Sequence, residues 1–80
     1  MVTIRLYGLL HEKYGVSRLD IEAVTVRDAL MQVAKTGADL KLLRSCVIFV
    51  NSKPLRGAAR LSAKLHDGDV LALLPPVSGG

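Results

Sequence analysis

Eighty residues, half of them hydrophobic, with eleven Lys and Arg against seven Asp and Glu, describe one small globular domain and not a disordered chain. Trp is absent and Tyr7, Tyr14 and Phe49 are the only aromatic residues, so the core is expected to be aliphatic and, at this length, only modestly stable. No stretch approaches the ~18 apolar residues of a membrane span, no signal-peptide pattern opens the chain, and the lone Cys46 excludes an internal disulfide, so the expected home is the cytoplasm.

Val2, Ile4 and Leu6 alternate with Thr3, Arg5 and Tyr7, a period of two that marks a half-buried first strand. The segment Gly8–Gly15 reads as a loop with a short turn. Leu19 and Ile21 alternate with Arg18, Asp20 and Glu22 as a second strand, hairpin-paired with the first. Thr25 and Asp28 have the spacing of a helix-capping pair. Val26, Ala29, Leu30, Val33 and Ala34 then fall on one apolar stripe of a helix, which Gly37 is expected to end as a left-handed cap. Ala38–Ser45 reads as a linker whose Leu40, Leu42 and Leu43 plug the core edge.

Val47–Val50 is apolar on both faces, so its inward parity stays open. Asn51-Ser52-Lys53 reads as a turn, and Pro54-Leu55 as the start of a short edge strand, where Pro is tolerated. Leu61 and Leu65 are expected in a loop that covers one end of the core. Asp67-Gly68-Asp69 is a turn signal and Val70–Leu74 a last strand, again apolar on both faces. First and last strands are expected as parallel central neighbours, with Val2, Ile4, Leu6, Val26, Leu30, Val33, Leu71 and Leu73 in the core. If Leu71 and Leu73 point inward, Val70, Ala72 and Leu74 point to the face that a single helix leaves uncovered. Such a patch is expected to dock a partner.

The sequence closes on Pro75-Pro76-Val77-Ser78-Gly79-Gly80. Two prolines stop the strand and hold the chain extended, and two glycines without Cβ can enter a channel too narrow for other residues. Six residues span roughly 20 Å when extended. A terminal carboxylate on such an arm is suited to delivery into another protein's active site. Between Leu40 and His66 the charged residues are Lys41, Arg44, Lys53, Arg56, Arg60 and Lys64, with no acid. They read either as a solvated surface or as a docking face for an acidic partner or nucleic acid. No aromatics interleave them, which argues against nucleic acid. Cys46 reads as a small buried hydrophobe. His11 and His66 have no ligand partners at metal spacing, so no metal site is assigned.

The order of elements, the opening strand Val2–Tyr7, the Val50-Asn51 strand end, the Asp67-Gly68-Asp69 turn and, most specifically, the motif Pro75–Gly80 resemble the MoaD/ThiS family of ubiquitin-like sulfur carriers. Within it they are most similar to the small subunits of molybdopterin synthases. The resemblance covers essentially the whole chain. It implies an α+β, β-grasp domain over 1–74, a mixed sheet of four to five strands with one main helix across one face, followed by a mobile tail over 75–80. It implies that a ubiquitin-activating-type enzyme adenylates the Gly80 carboxylate with ATP. Sulfur from a persulfide donor enzyme then replaces AMP as a thiocarboxylate. A molybdopterin synthase large subunit would take Pro75, Pro76, Val77, Ser78 and Gly79 into its channel, with Val70, Ala72 and Leu74 docked outside. The chain would then bind no cofactor and supply no catalytic group. Three other readings stand beside this one: sulfur carriage for tRNA thiolation, conjugation to target lysines as a protein modifier, and non-covalent binding through the basic half.

Overall fold

A computed structural model describes residues 1–76. Five strands form one mixed sheet in the order β2-β1-β5-β3-β4, with β1 at Val2–Leu6, β2 at Arg18–Ile21, β3 at Val47–Val50, β4 at Lys53–Leu55 and β5 at Val70–Leu74. β1 and β2 form the antiparallel hairpin expected from their alternation, with Ile4 opposite Leu19. β5 runs parallel to β1, Ile4 opposite Leu71, and antiparallel to β3, Ile48 opposite Leu73. The first and last strands are therefore central neighbours. β4 lies on the sheet edge, where Pro54 removes no needed ladder bond.

One sheet face is packed and one is open. Val2, Ile4, Leu6, Ile48, Leu71 and Leu73 are buried beneath α2 (Val26–Val33), which contributes Val26, Ala29, Leu30 and Val33. All eight expected core residues are among these. The parity of β3, open from sequence, is settled by Ile48, which points into the core and leaves Val47 and Phe49 on the other face. α2 begins as its sequence requires. The Thr25 hydroxyl accepts from the Asp28 N–H at 3.2 Å, and the Asp28 carboxylate accepts from the Thr25 N–H at 3.3 Å.

Three expectations are corrected. Gly8–Gly15 is not a loop but holds a six-residue helix, α1 (Leu9–Tyr14), which buries only Leu10 and is closed by Gly15 in the left-handed region. Ala38–Ser45 is not a linker. It lies within or borders α3 (Gly37–Arg44), which starts on Thr36, whose hydroxyl accepts from the Asp39 N–H at 3.0 Å. Gly37 does not cap α2, because Ala34 ends that helix in an extended conformation and Gly37 opens the next one. Leu40, Leu42 and Leu43 do pack against the core from α3, Leu43 completely. Leu61 and Leu65 are buried as expected, the former in a 3-10 turn over Ala58–Ser62 that packs on α2. That turn therefore covers the helical side of the sheet and leaves the outer face open.

Candidate functional site

The outer face is a direct product of strand parity. With Leu71 and Leu73 inward, Val70, Ala72 and Leu74 stand outward, each half-buried. The ladder sets their neighbours. Ala72 lies between Arg5 of β1 and Phe49 of β3, and Phe49 lies beside Pro54 of β4. Arg5, Tyr7, Phe49, Asn51 and Ser52 join the three β5 residues around a shallow hollow of about 740 Å3. Its floor is apolar along β5 and β3, and β1 supplies a cationic rim, where the Arg5 guanidinium sits 5.9 Å from the Tyr7 ring centre.

The tail leaves from one end of this hollow. Leu74 pairs with Val47, which is 41 % exposed, and Tyr7 receives the sheet's last contact as its N–H donates to the Leu73 carbonyl at 3.2 Å. Gly8 then turns with φ 58 and ψ −132, a conformation that excludes a side chain. A Cβ at Gly8 would lie 3.3 Å from Cγ of Pro75, so the glycine also gives the proline its seat. Pro75 is half-buried there and Pro76 is exposed. Val77, Ser78, Gly79 and Gly80, the rest of the anticipated channel segment and sulfur-bearing end, lie outside the described residues.

At the other end of the hollow two turns are locked together. The β3–β4 turn places both Asn51 (φ 51) and Ser52 (φ 70) in the left-handed region, as a two-residue hairpin demands. The Asn51 amide donates to Asp69 Oδ1 at 2.9 Å, and its oxygen accepts from the Val70 N–H at 2.9 Å. Asp69 also accepts from the His66 N–H at 2.8 Å. These donors, the His66 backbone first and then Asn51, hold the Asp69 carboxyl below its ordinary pKa. The Asp67–Asp69 turn is thus tied to the strand end at Asn51.

Sequence reasoning placed Val70, Ala72 and Leu74 on the outer face, where they lie, but did not single out Arg5, Tyr7 and Phe49 beside them or the seat at Gly8. The first two were legible from the same alternation that identified β1, since they are its outward residues. Phe49 was hidden by the open parity of β3, and Gly8 by its contact with a residue at the far end of the sequence. Cys46 is 1 % exposed and burial pushes its thiol pKa up, which fits a packed hydrophobe and not a sulfur relay. Among the described residues no group of three His, Cys, Asp or Glu is placed to hold a metal, and no helix is long and apolar enough to cross a membrane.

A five-stranded mixed sheet with its helices packed on one face and an open apolar face on the other defines a ubiquitin-like β-grasp protein. The ThiS family model matches residues 4–80, and the chain belongs to that family of ubiquitin-like sulfur carriers. Solved structures agree. The small archaeal modifier protein SAMP1 from Methanosarcina acetivorans is 28% identical with a TM-score of 0.81, covering 99% of this chain and 95% of that one. The BexX/CysO complex from Amycolatopsis orientalis matches at 27% identity and TM-score 0.78, covering 100% of both chains. The complex of subunits 1 and 2 of the molybdopterin-converting factor from Helicobacter pylori matches at 28% identity and TM-score 0.67, covering 99% and 97%. No curated protein sequence is similar enough to count as a match.

Proposed function

We propose that the chain carries sulfur as a thiocarboxylate on Gly80 and donates it in molybdopterin biosynthesis, the domain over 1–74 serving as the handle and 75–80 as the delivered arm. The single observation that carries this reading is the open apolar face running along β5 to Pro75, seated on Gly8, in a ThiS-family domain. A free carboxylate is a poor electrophile. An adenylating enzyme of the ubiquitin-activating type joins it to AMP from ATP and releases pyrophosphate. The outer sulfur of a donor persulfide displaces AMP, and a thiol then cleaves the sulfur–sulfur bond. The chain keeps the thiocarboxylate and the donor leaves as a disulfide. The anion so formed is a competent nucleophile at neutral pH, and the large subunit of a molybdopterin synthase supplies the groups that use it. This chain acts as a carried substrate and needs no cofactor of its own.

Pro75 to Gly79 form the segment that enters the partner's channel, with Val70, Ala72 and Leu74 docked at its mouth. The pathway assignment draws on the molybdopterin-converting factor complex. A second reading, conjugation to lysines as a modifier, draws on the likeness to SAMP1. Both use the same activated end. The test is ATP-dependent loading by the adenylating enzyme of the same host, read by intact mass. Wild type should gain the increment of one oxygen-for-sulfur exchange. Deleting Gly80, or changing Gly79→Val, should abolish loading with little loss of stability, since the last residues of a domain generally contribute little to its stability. Full loading without Gly80 sinks both readings. Cellular lysines joined by isopeptide bonds to the Gly80 carboxylate, seen after trypsin as a Leu65–Gly80 branch, with no transfer to a pterin precursor, select the modifier.

A further inference from the structure

Lys41, Arg44, Arg56 and Arg60 gather at one end of the sheet. Residues 40–66 carry six cations and no acid, and the remainder carries five cations and seven acids. Register tells where each group falls. Because Val47 pairs with Leu74, the residues just before β3 lie at the end of the sheet from which the tail departs. Leu55 pairs with Ile48 near that end, and Arg56 follows it. Arg60 staples the two segments together, its guanidinium donating to the carbonyls of Arg44 and Cys46. The result is a hollow of about 570 Å3 lined chiefly by Lys41, Arg44, Ser45, Gly57, Ala58 and Arg60, with exposed Arg56 next in the chain. None of these is acidic, and neither Lys41, Arg44 nor Arg56 forms a salt bridge among the described residues. From α1 this end also receives His11, Glu12 and Lys13, the last ion-paired with Asp39 at 3.2 Å.

The opposite end is mixed in sign. Asp67 and Glu22 hold the Met1 ammonium, Asp20 accepts from the Thr3 hydroxyl, and Asp69 sits in the turn before β5. Lys53 and Lys64 also lie away from the tail: Lys53 pairs with Val50, and Lys64 bridges to Thr25 at the start of α2.

We propose that the basic hollow beside the tail exit is a docking site for an acidic surface that rims the active-site entrance of the adenylating enzyme. The proposal rests on the tail-delivery reading above and adds the chemistry of the partner's rim. Clustered cations with no acid among them repel one another, and a partner's carboxylates relieve that repulsion. The unpaired cations gathered beside the tail exit also favour approach to an acidic rim with the tail leading, an effect that acts over roughly 10 Å at moderate salt. A nucleic acid fits less well. None of the three aromatic residues lines the hollow, so no base-stacking platform adjoins it.

The experiment measures the association rate with the adenylating enzyme, and the kcat/KM of loading, over about 20 to 300 mM salt. Three proteins are compared: wild type, Lys41→Gln/Arg44→Gln/Arg56→Gln, and Lys53→Gln/Lys64→Gln. Arg60 is kept because it staples the fold. At low salt the triple variant should associate about tenfold more slowly and lose most of its salt dependence, while the double variant stays within about twofold of wild type. Equal behaviour of all three proteins overturns the proposal and leaves the carrier reading standing. Equal slowing by both variants also overturns it, because net charge and not this site is then responsible. Retention of a single-stranded RNA oligonucleotide by wild type and not by the triple variant, with loading unchanged, assigns the hollow to nucleic acid and overturns it too. Failure of wild type to load at any salt removes the carrier reading and the proposal with it. Circular dichroism on each variant confirms that the fold is intact.

Discussion

Asn51 does two separable jobs. Its backbone occupies the left-handed region, which costs most L residues about 1 kcal/mol or more, and its amide ties Asp69 and Val70 to the hairpin. Asn51→Gly keeps the backbone and removes the ties, so it should lose roughly 1–3 kcal/mol, the cost of hydrogen bonds to a charged group. Asn51→Ala should lose about 1 kcal/mol more, because it adds the conformational cost. Urea unfolding with unchanged m-values checks both. The loss for Asn51→Gly should depend on pH. The folded-state pKa of Asp69 is depressed, so its stabilisation is present above the ordinary carboxylate value and lost as pH falls through the folded one. The gap between wild type and Asn51→Gly should therefore narrow as the solution is acidified below the ordinary carboxylate range. Asp20, held low mainly by Thr3, and Asp39, held low mainly by the Lys35 backbone, are common to both proteins and cancel in this difference.

At the scale of elements, the outer face of β5 is the part of the fold that no contact among the described residues explains. Leu74 is half-buried between Val47 and the tail base, so a change there tests docking more than folding. Leu74→Asp should leave the far-ultraviolet spectrum and a cooperative melt in place and weaken partner binding by about 2 kcal/mol or more, the scale of an interfacial hot spot. Calorimetric titration with the adenylating enzyme measures it. Unchanged affinity would remove the patch from the interface, and loss of folding would assign Leu74 to the core. β1, β2 and α2 were legible because each shows its period plainly, two in Val2–Tyr7 and Arg18–Glu22 and the apolar stripe from Val26 to Ala34, whereas β3 and β5 were legible as short apolar runs beside turn signals. The two missed helices show no such period. α1 buries Leu10 alone and leaves Leu9 70% exposed, so six residues carry no stripe. α3 did carry a start signal in Thr36 and Asp39, the same spacing as Thr25 and Asp28, but Gly37 between them read as an end and hid it. The tail motif was plain in the sequence. Its seat was not, because the proximity of Gly8 and Pro75 exists only once β1 and β5 are paired.

For the molecule as a whole, the arrangement of strands has a consequence for how the domain comes to be. β5 is the last strand in the sequence yet sits in the middle of the sheet, with β1 and β2 on one side and β3 and β4 on the other. Until it docks there are two hairpins with no hydrogen bonds between them, and two-stranded ribbons are marginal in water. Its pairing with β1 closes nearly the full length of the chain, so this small domain should refold slowly for its size, in milliseconds to seconds, not microseconds. Stopped-flow circular dichroism checks the rate, and a chain ending before Val70 should show no cooperative unfolding transition. A growing polypeptide therefore acquires its native sheet only after the strand that carries the tail has been made. Folding itself then certifies the strand that leads into the arm: chains that end before Val70 lack the central strand, and with it the surface on which a partner could recognise them.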